Sequence, residues 1–301
     1  MQPPTPNYLK GTAFGLAAAS IWAGWSPITR LGVTTQFNAW DVAVLRFGVA
    51  GILLLPVVWR RGLALGRIGW HGLALMIVGG GVPYVLLAAT GLAFAPAHDQ
   101  AALNPGTVPL FVALIALIAI DEKLTAWRWL GLAHIAAGTV IIVGCNPALW
   151  NTSRTLGHTL GLAAAFLWAC FTVTMSKSKL DSLHAAALVA TGSLLIYFPV
   201  YLAMFGARLM HMPMPDLAVQ IIYQGILATI VSLLFYGGAM DILGMAGGAA
   251  FGALVPALTG LFAIPLLGEW PSATDWLAML LVSAGVYLTS GGPMPTITHS
   301  R

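Results

Sequence analysis

Charged residues punctuate this chain rather than populate it. Windows free of Asp, Glu, Lys and Arg run over 68–98, 100–120, 129–153, 155–176, 182–207, 217–240, 242–268 and 276–300. A helix needs about 20 apolar residues to cross a bilayer. Hydrocarbon offers no partner to an open backbone group, so such stretches must be helices or a closed barrel. The alternating segments of about ten residues that mark barrel strands are absent. The pattern predicts ten spans, at 12–30, 40–59, 70–91, 99–120, 127–145, 157–175, 183–205, 217–238, 246–267 and 274–290. Asp41 and Arg46 interrupt the second.

The pattern also repeats. Gly15-Leu-Ala-Ala-Ala-Ser-Ile-Trp22-Ala returns as Gly161-Leu-Ala-Ala-Ala-Phe-Leu-Trp168-Ala, 146 residues later. A second set recurs at an offset of 147: Gly91/Gly238, Pro109/Pro256, Glu122/Glu269, Trp129/Trp276, Gly138/Gly285 and Gly144/Gly291. The chain therefore divides into two units, 1–150 and 151–301, with five spans each. Because five is odd, the second unit must enter the membrane upside down. In a membrane protein, such inverted duplication places a substrate pathway between the halves. The expected fold is an all-α integral membrane protein of ten transmembrane helices, arranged as two inverted five-helix repeats around a central cavity.

Composition agrees: 59% of residues are hydrophobic and 7% charged, against roughly 25% charged in soluble domains. With the N-terminus inside, nine Lys and Arg fall on the cytoplasmic side and three on the other. That bias sets both termini in the cytoplasm. It also accounts for the net charge of +4 without a nucleic-acid partner. Met1-Gln-Pro-Pro-Thr-Pro carries no basic segment or cleavage site of a signal peptide. Cys145 and Cys170 suggest neither a disulfide nor a metal site, and are expected to be small buried hydrophobes.

Trp40, Trp59, Trp70, Trp127, Trp129, Trp150, Trp270 and Trp276 lie near span ends, as an interfacial belt does. Trp22, Trp25 and Trp168 do not fit the belt, and Trp22 and Trp168 lie mid-span at equivalent positions, where an indole N–H needs a partner or a wet cavity. Packing between helices would place them there too. Gly79-Gly80-Gly81-Val82-Pro83-Tyr84 occupies the third span, where Pro83 should kink the helix by freeing the Gly79 carbonyl. Pro27 is expected to break the first span. Gln100 and Asn104 share a face one turn apart, and Tyr236 lies late in the eighth span. Together these predict an aromatic, polar-lined pocket with hinges at Pro27, Gly79, Gly80, Gly81 and Pro83.

Arg46 is the intramembrane charge to weigh. Pairing with Asp41 or snorkelling would explain it, and so would a clamp for a substrate carboxylate. Glu122 and Glu269 end their spans, where loop contacts or proton coupling would both suit them. Of the scattered histidines, His134 is expected to be the most embedded, in a structural hydrogen bond. Catalytic and metal-binding motifs are absent, so no enzyme activity, cofactor or metal is expected.

Gly15-Leu-Ala-Ala-Ala-Ser-Ile-Trp22-Ala-Gly, Leu45-Arg46-Phe47 and the Pro109…Glu122 and Pro256…Glu269 endings resemble the EamA branch of the drug/metabolite transporters. More narrowly, the chain resembles YddG-type bacterial exporters of aromatic amino acids, which also handle some toxic compounds. The resemblance implies a basket of ten helices and outward export across the bacterial inner membrane. The expectation that follows is alternating-access export of aromatic or other bulky amino acids by a single chain among membrane lipids. Trp22, Tyr84, Trp168 and Tyr236 would stack on the cargo, Gln100 and Asn104 would bond its polar groups, and Arg46 would be a long-range partner. Amphipathic toxic compounds are further candidate cargo, and a broad drug or cation exporter is the alternative.

Overall fold

The computed structural model describes residues 6–119, 124–144 and 152–291, and every regular element among them is helical. The first half runs α1 (Pro6–Val33), α2 (Ala39–Arg61), α3 (Leu65–Gly80), α4 (Val82–Phe94), α5 (Ala97–Ala119) and α6 (Ala126–Gly144). The second half runs α7 (Thr152–Ser178), α8 (Ser182–Phe205) and α9 (Met214–Gln220), then a π-helical stretch Ile221–Val231 leading into α10 (Ser232–Leu243). It closes with α11 (Met245–Ala249), a 3₁₀ turn, α12 (Val255–Leu267) and α13 (Ala273–Thr289). Eight of these helical runs are long and apolar enough to cross a membrane. With α1 and the shorter α13 they make the ten predicted spans. The expectations for Glu122, Cys145 and Trp150 lie outside the described residues.

Local chemistry sets the helix ends. Asn38 and Asp41 form a capping box at the start of α2, and Ser272 and Asp275 form one at the start of α13. Of the belt tryptophans, Trp59 is 86% exposed and Trp270 77%, as interfacial residues should be.

The third span of each half departs from regular α-helix. In the first half the break falls at Gly81 (φ −100°, ψ −144°), and Pro83 sits in the opening turn of α4, where its missing N–H costs nothing. The kink predicted for this segment is thus a full interruption, two residues ahead of the proline. Gly79 allows the interruption to lie against α7, since a Cβ there would come within 2.6 Å of the Leu167 carbonyl oxygen. In the second half the matching span is the π-helical Ile221–Val231.

Pro27 does not break α1, which continues through it. Proline deprives the carbonyl four residues earlier of its donor. That carbonyl, on Ala23, accepts a hydrogen bond from the Thr259 hydroxyl of α12 at 2.9 Å. A side chain of the second half thus repairs the helix of the first.

Pairing between the halves follows one exchange rule. α6 packs on α13 and α2 on α8, while α7 lies on α3, α4 and α5 as α1 lies on α10 and α12. The seam between α6 and α13 obeys the rule residue by residue. A Cβ on Gly138 would lie 2.7 Å from the Ala278 carbonyl oxygen, and one on Gly131 would lie 2.8 Å from that of Gly285. Adding 147 to Gly138 gives Gly285, and adding it to Gly131 gives Ala278.

Thr259→Val should lower stability by about 1 kcal/mol, because the Ala23 carbonyl is left buried without a donor. In a Pro27→Ala background the helix supplies its own donor and the loss should vanish. Thermal unfolding of the four chains of this cycle in detergent measures the coupling, and additive losses would exclude the repair.

Candidate functional site

Each half sends its mid-span tryptophan against a tyrosine on the third span of the other half. Trp22 on α1 meets Tyr236 on α10 at 4.9 Å between ring centroids, and Trp168 on α7 meets Tyr84 on α4 at 4.8 Å. Both pairs are tilted, at 57° and 45°, an arrangement favoured by ring quadrupoles. The predicted aromatics therefore form two crossed pairs and not a single stack.

The Tyr84–Trp168 pair carries the polar chemistry. Phe171 extends it, 5.0 Å from Trp168. The Asn104 side-chain amide donates to the Tyr84 hydroxyl at 3.3 Å, while its carbonyl oxygen is buried with no partner. Arg46 lies near enough for its charge to act on Tyr84. It is 9% exposed, its Nε has no partner, and its guanidinium sits 5.8 Å from the ring centroids of Trp25 and Phe47. Ser193, with an unpartnered hydroxyl, packs onto the break at Gly81.

Arg46 neither pairs with Asp41 nor reaches outward. Asp41 is fully buried and already bound, accepting from the Tyr201 hydroxyl at 2.5 Å, the Asn38 N–H at 2.9 Å and Arg208 Nε at 3.3 Å. A cation removed from water costs several kcal/mol unless compensated. The Trp25 and Phe47 faces return only about 0.5–2 kcal/mol of that.

Gln100 does not belong with these groups. It is 2% exposed and donates to the Gly157 carbonyl oxygen at 2.6 Å, wedged between Gly91 and Gly161. Its amide fastens α5 to α7. His134 does bond the Leu130 carbonyl oxygen at 2.8 Å, yet His98, His158 and His184 are the buried histidines.

Sequence reasoning missed Trp25 as a contributor. Its indole N–H donates to Gln224 Oε1 at 2.8 Å, and Gln224 in turn donates to Thr29 at 2.8 Å and to Gln220 at 3.1 Å. This chain ties α1 to the π-helical stretch, where Tyr223 also donates to the Ile21 carbonyl oxygen at 2.7 Å. The signal was a third tryptophan outside the belt, with two glutamines four residues apart in an apolar run.

Ten apolar spans with irregular third spans and buried unpartnered polar atoms between the halves are an architecture suited to a multi-pass membrane protein that carries small molecules. The sequence profile described as the EamA-like transporter family matches residues 9–144 and again 155–291. The chain belongs to that family, twice over. It is 27% identical over 277 residues to a protein of Archaeoglobus fulgidus named an uncharacterized transporter, covering 90% of this chain and 93% of that one. It is 28% identical over 278 residues to a riboflavin transporter of Brucella anthropi, covering 90% and 92%. A riboflavin transporter of Vibrio cholerae matches at 27% over 188 residues, 56% of this chain and 61% of that one. A solved crystal structure with 19% identity and a TM-score of 0.60 shares the fold over 92% of this chain and 95% of its own.

Replacing an uncompensated buried cation by an apolar group of similar length should stabilise the protein. Arg46→Met is expected to raise the unfolding midpoint in detergent, through a gain on the order of 1–3 kcal/mol. A lowered midpoint would show that Arg46 supports the fold instead of serving a ligand.

Proposed function

We propose that the protein exports aromatic amino acids, binding each between the two halves and releasing it by alternating access. One observation carries this reading. The Asn104 carbonyl oxygen, a buried acceptor without a donor, sits beside Tyr84 of the Tyr84–Trp168 pair, and Arg46 Nε, a buried donor without an acceptor, lies with its guanidinium over Trp25 and Phe47. A zwitterion with a ring answers all three needs: its carboxylate takes Arg46, its ammonium takes Asn104, and its ring replaces one aromatic contact. Trp22 and Tyr236 form the equivalent wall on the other side. In the conformation described, Asn104 is 2% exposed and Arg46 9%, which fits a closed step of the cycle.

The spans, the repeats at 1–150 and 151–301, and the distribution of Lys and Arg support a bacterial inner-membrane protein with cytoplasmic termini. One chain supplies both halves of the pathway and serves as the working unit. Movement would be taken up at Gly79–Pro83 in one half and at the π-helical stretch in the other. Among the described residues no carboxylate faces the site, so a cationic drug finds no counter-charge there.

Flavin transport is the second reading, favoured by the two relatives named riboflavin transporters. Its fused rings would use the same aromatic pairs, and its ring carbonyls would accept from Arg46.

Counterflow into liposomes holding the purified protein separates the two. Labelled Trp or Phe should exchange, Arg46→Gln should lower exchange at least tenfold, and Trp168→Ala should raise KM roughly two- to tenfold, the worth of one ring contact. Exchange of riboflavin with none of either amino acid would install the second reading. Unchanged exchange in both variants would remove this site.

A further inference from the structure

At the end of the bundle where α1 finishes, a second polar cluster joins the halves, away from the aromatic pairs. Its centre is His98 and Asp99, opening α5, and Asp275, in the first turn of α13. His98 Nε2 lies 3.5 Å from Asp99 Oδ1 and 3.6 Å from Asp275 Oδ2, and the three donor atoms fall within 4.8 Å of one another. These gaps are too long for hydrogen bonds. They match the spacing of about 3.3–3.6 Å between ligand atoms around a four-coordinate ion with bonds of 2.0–2.2 Å.

Burial and the surrounding contacts point the same way. Asp99 is fully buried and His98 is 5% exposed, yet Asp99 Oδ1 accepts no hydrogen bond. The opposite oxygen, Oδ2, is fixed by Arg154 Nε and His158 Nε2, both at 2.8 Å, which aims Oδ1 at the gap. His98 Nδ1 is also without a hydrogen bond, and its nearest acidic neighbour is Glu269 Oε2 at 3.9 Å. Glu269 is held in turn by Arg30 and by the Ala97 N–H. An imidazole that binds metal through one nitrogen and faces a carboxylate with the other is a recurrent second-layer arrangement. Ser272 donates to that same Asp275 Oδ2 through both its N–H, at 2.8 Å, and its hydroxyl, at 2.7 Å, so an ion there shares this oxygen with two donors.

We infer that His98, Asp99 and Asp275 bind a divalent transition-metal ion. One nitrogen and two carboxylate oxygens suit Zn²⁺, Co²⁺ or Mn²⁺. The imidazole nitrogen disfavours Ca²⁺ and Mg²⁺, which prefer oxygen ligands throughout. With Arg154 offsetting Asp99 and Arg30 offsetting Glu269, Asp275 supplies the remaining negative charge, and water or an anion completes the coordination. Bound there, the ion clamps α5 of the first half to α13 of the second and steadies the seal at that end.

The test uses the untagged full chain in detergent, stripped with chelator and titrated with CoCl₂. The visible spectrum should show one Co²⁺ taken up per chain, displaced by ZnCl₂ and not by CaCl₂ or MgCl₂. His98→Gln and Asp275→Asn should weaken binding at least a hundredfold. Glu269→Gln keeps all three ligands and should weaken it roughly 10- to 100-fold, so the idea stays exposed even where a ligand variant fails to fold. No saturable uptake by the parent chain, or equal affinity in the variants that fold, would overturn it.

Discussion

Hydrocarbon has no hydrogen-bonding groups to lend, and this one constraint shapes the molecule. Side chains of one half supply hydrogen bonds that the other half needs. Thr259 caps the carbonyl stranded by Pro27, Tyr223 reaches the Ile21 carbonyl, and Trp25 donates its indole N–H to Gln224. The two repeats are therefore complementary as well as similar, and their interface is specified in part by hydrogen bonds.

Among the described residues seven side-chain atoms are buried without a hydrogen bond: Arg46 Nε, the Asn104 carbonyl oxygen, Gln100 Oε1, Ser193 Oγ, Ser283 Oγ, Asp99 Oδ1 and His98 Nδ1. Asn104 lies against Tyr84, and His98 and Asp99 lie near Asp275. Unpaired polar atoms in a dry interior weaken the resting protein. The proposed cargo would answer the Arg46 and Asn104 atoms, and the inferred ion would answer Asp99.

The architecture could be read from the sequence because charge-free runs and a repeat near 147 residues are long-range signals that packing does not override. Trp22, Trp168 and Tyr84 were legible for the same reason, as polar-tipped rings at depths where lipid tolerates few. Their partners were not, since crossed pairing between halves depends on how the bundle closes. Gln100 and Asn104 show the limit most clearly. They share a helix face, but one fastens α5 to Gly157 while the other faces the site, and only the approach of α7 tells them apart. Asp41 misled in the same way: in sequence it is the obvious mate for Arg46, and in space Tyr201 and Arg208 have claimed it. The π-helical stretch left little mark in the hydrophobic pattern, because Gln224 and Thr229 are too few polar positions to report a change of about one residue per turn.

The two interrupted spans are related by the repeat but are not chemically alike. The Gly81 break interrupts the helix, with Val85 N–H still returning to the Gly81 carbonyl and Ser193 packed onto it, whereas the π-helical stretch is continuous and moored to α1 by Tyr223, Gln220 and Gln224. Bending at the first disturbs few side-chain bonds, while bending at the second has to unfasten several. The opposite mouths of such a carrier would then open over barriers of unequal height. A duplicated, nearly symmetric frame thereby acquires two joints of different stiffness, while the direction of net travel is left to the gradients across the membrane.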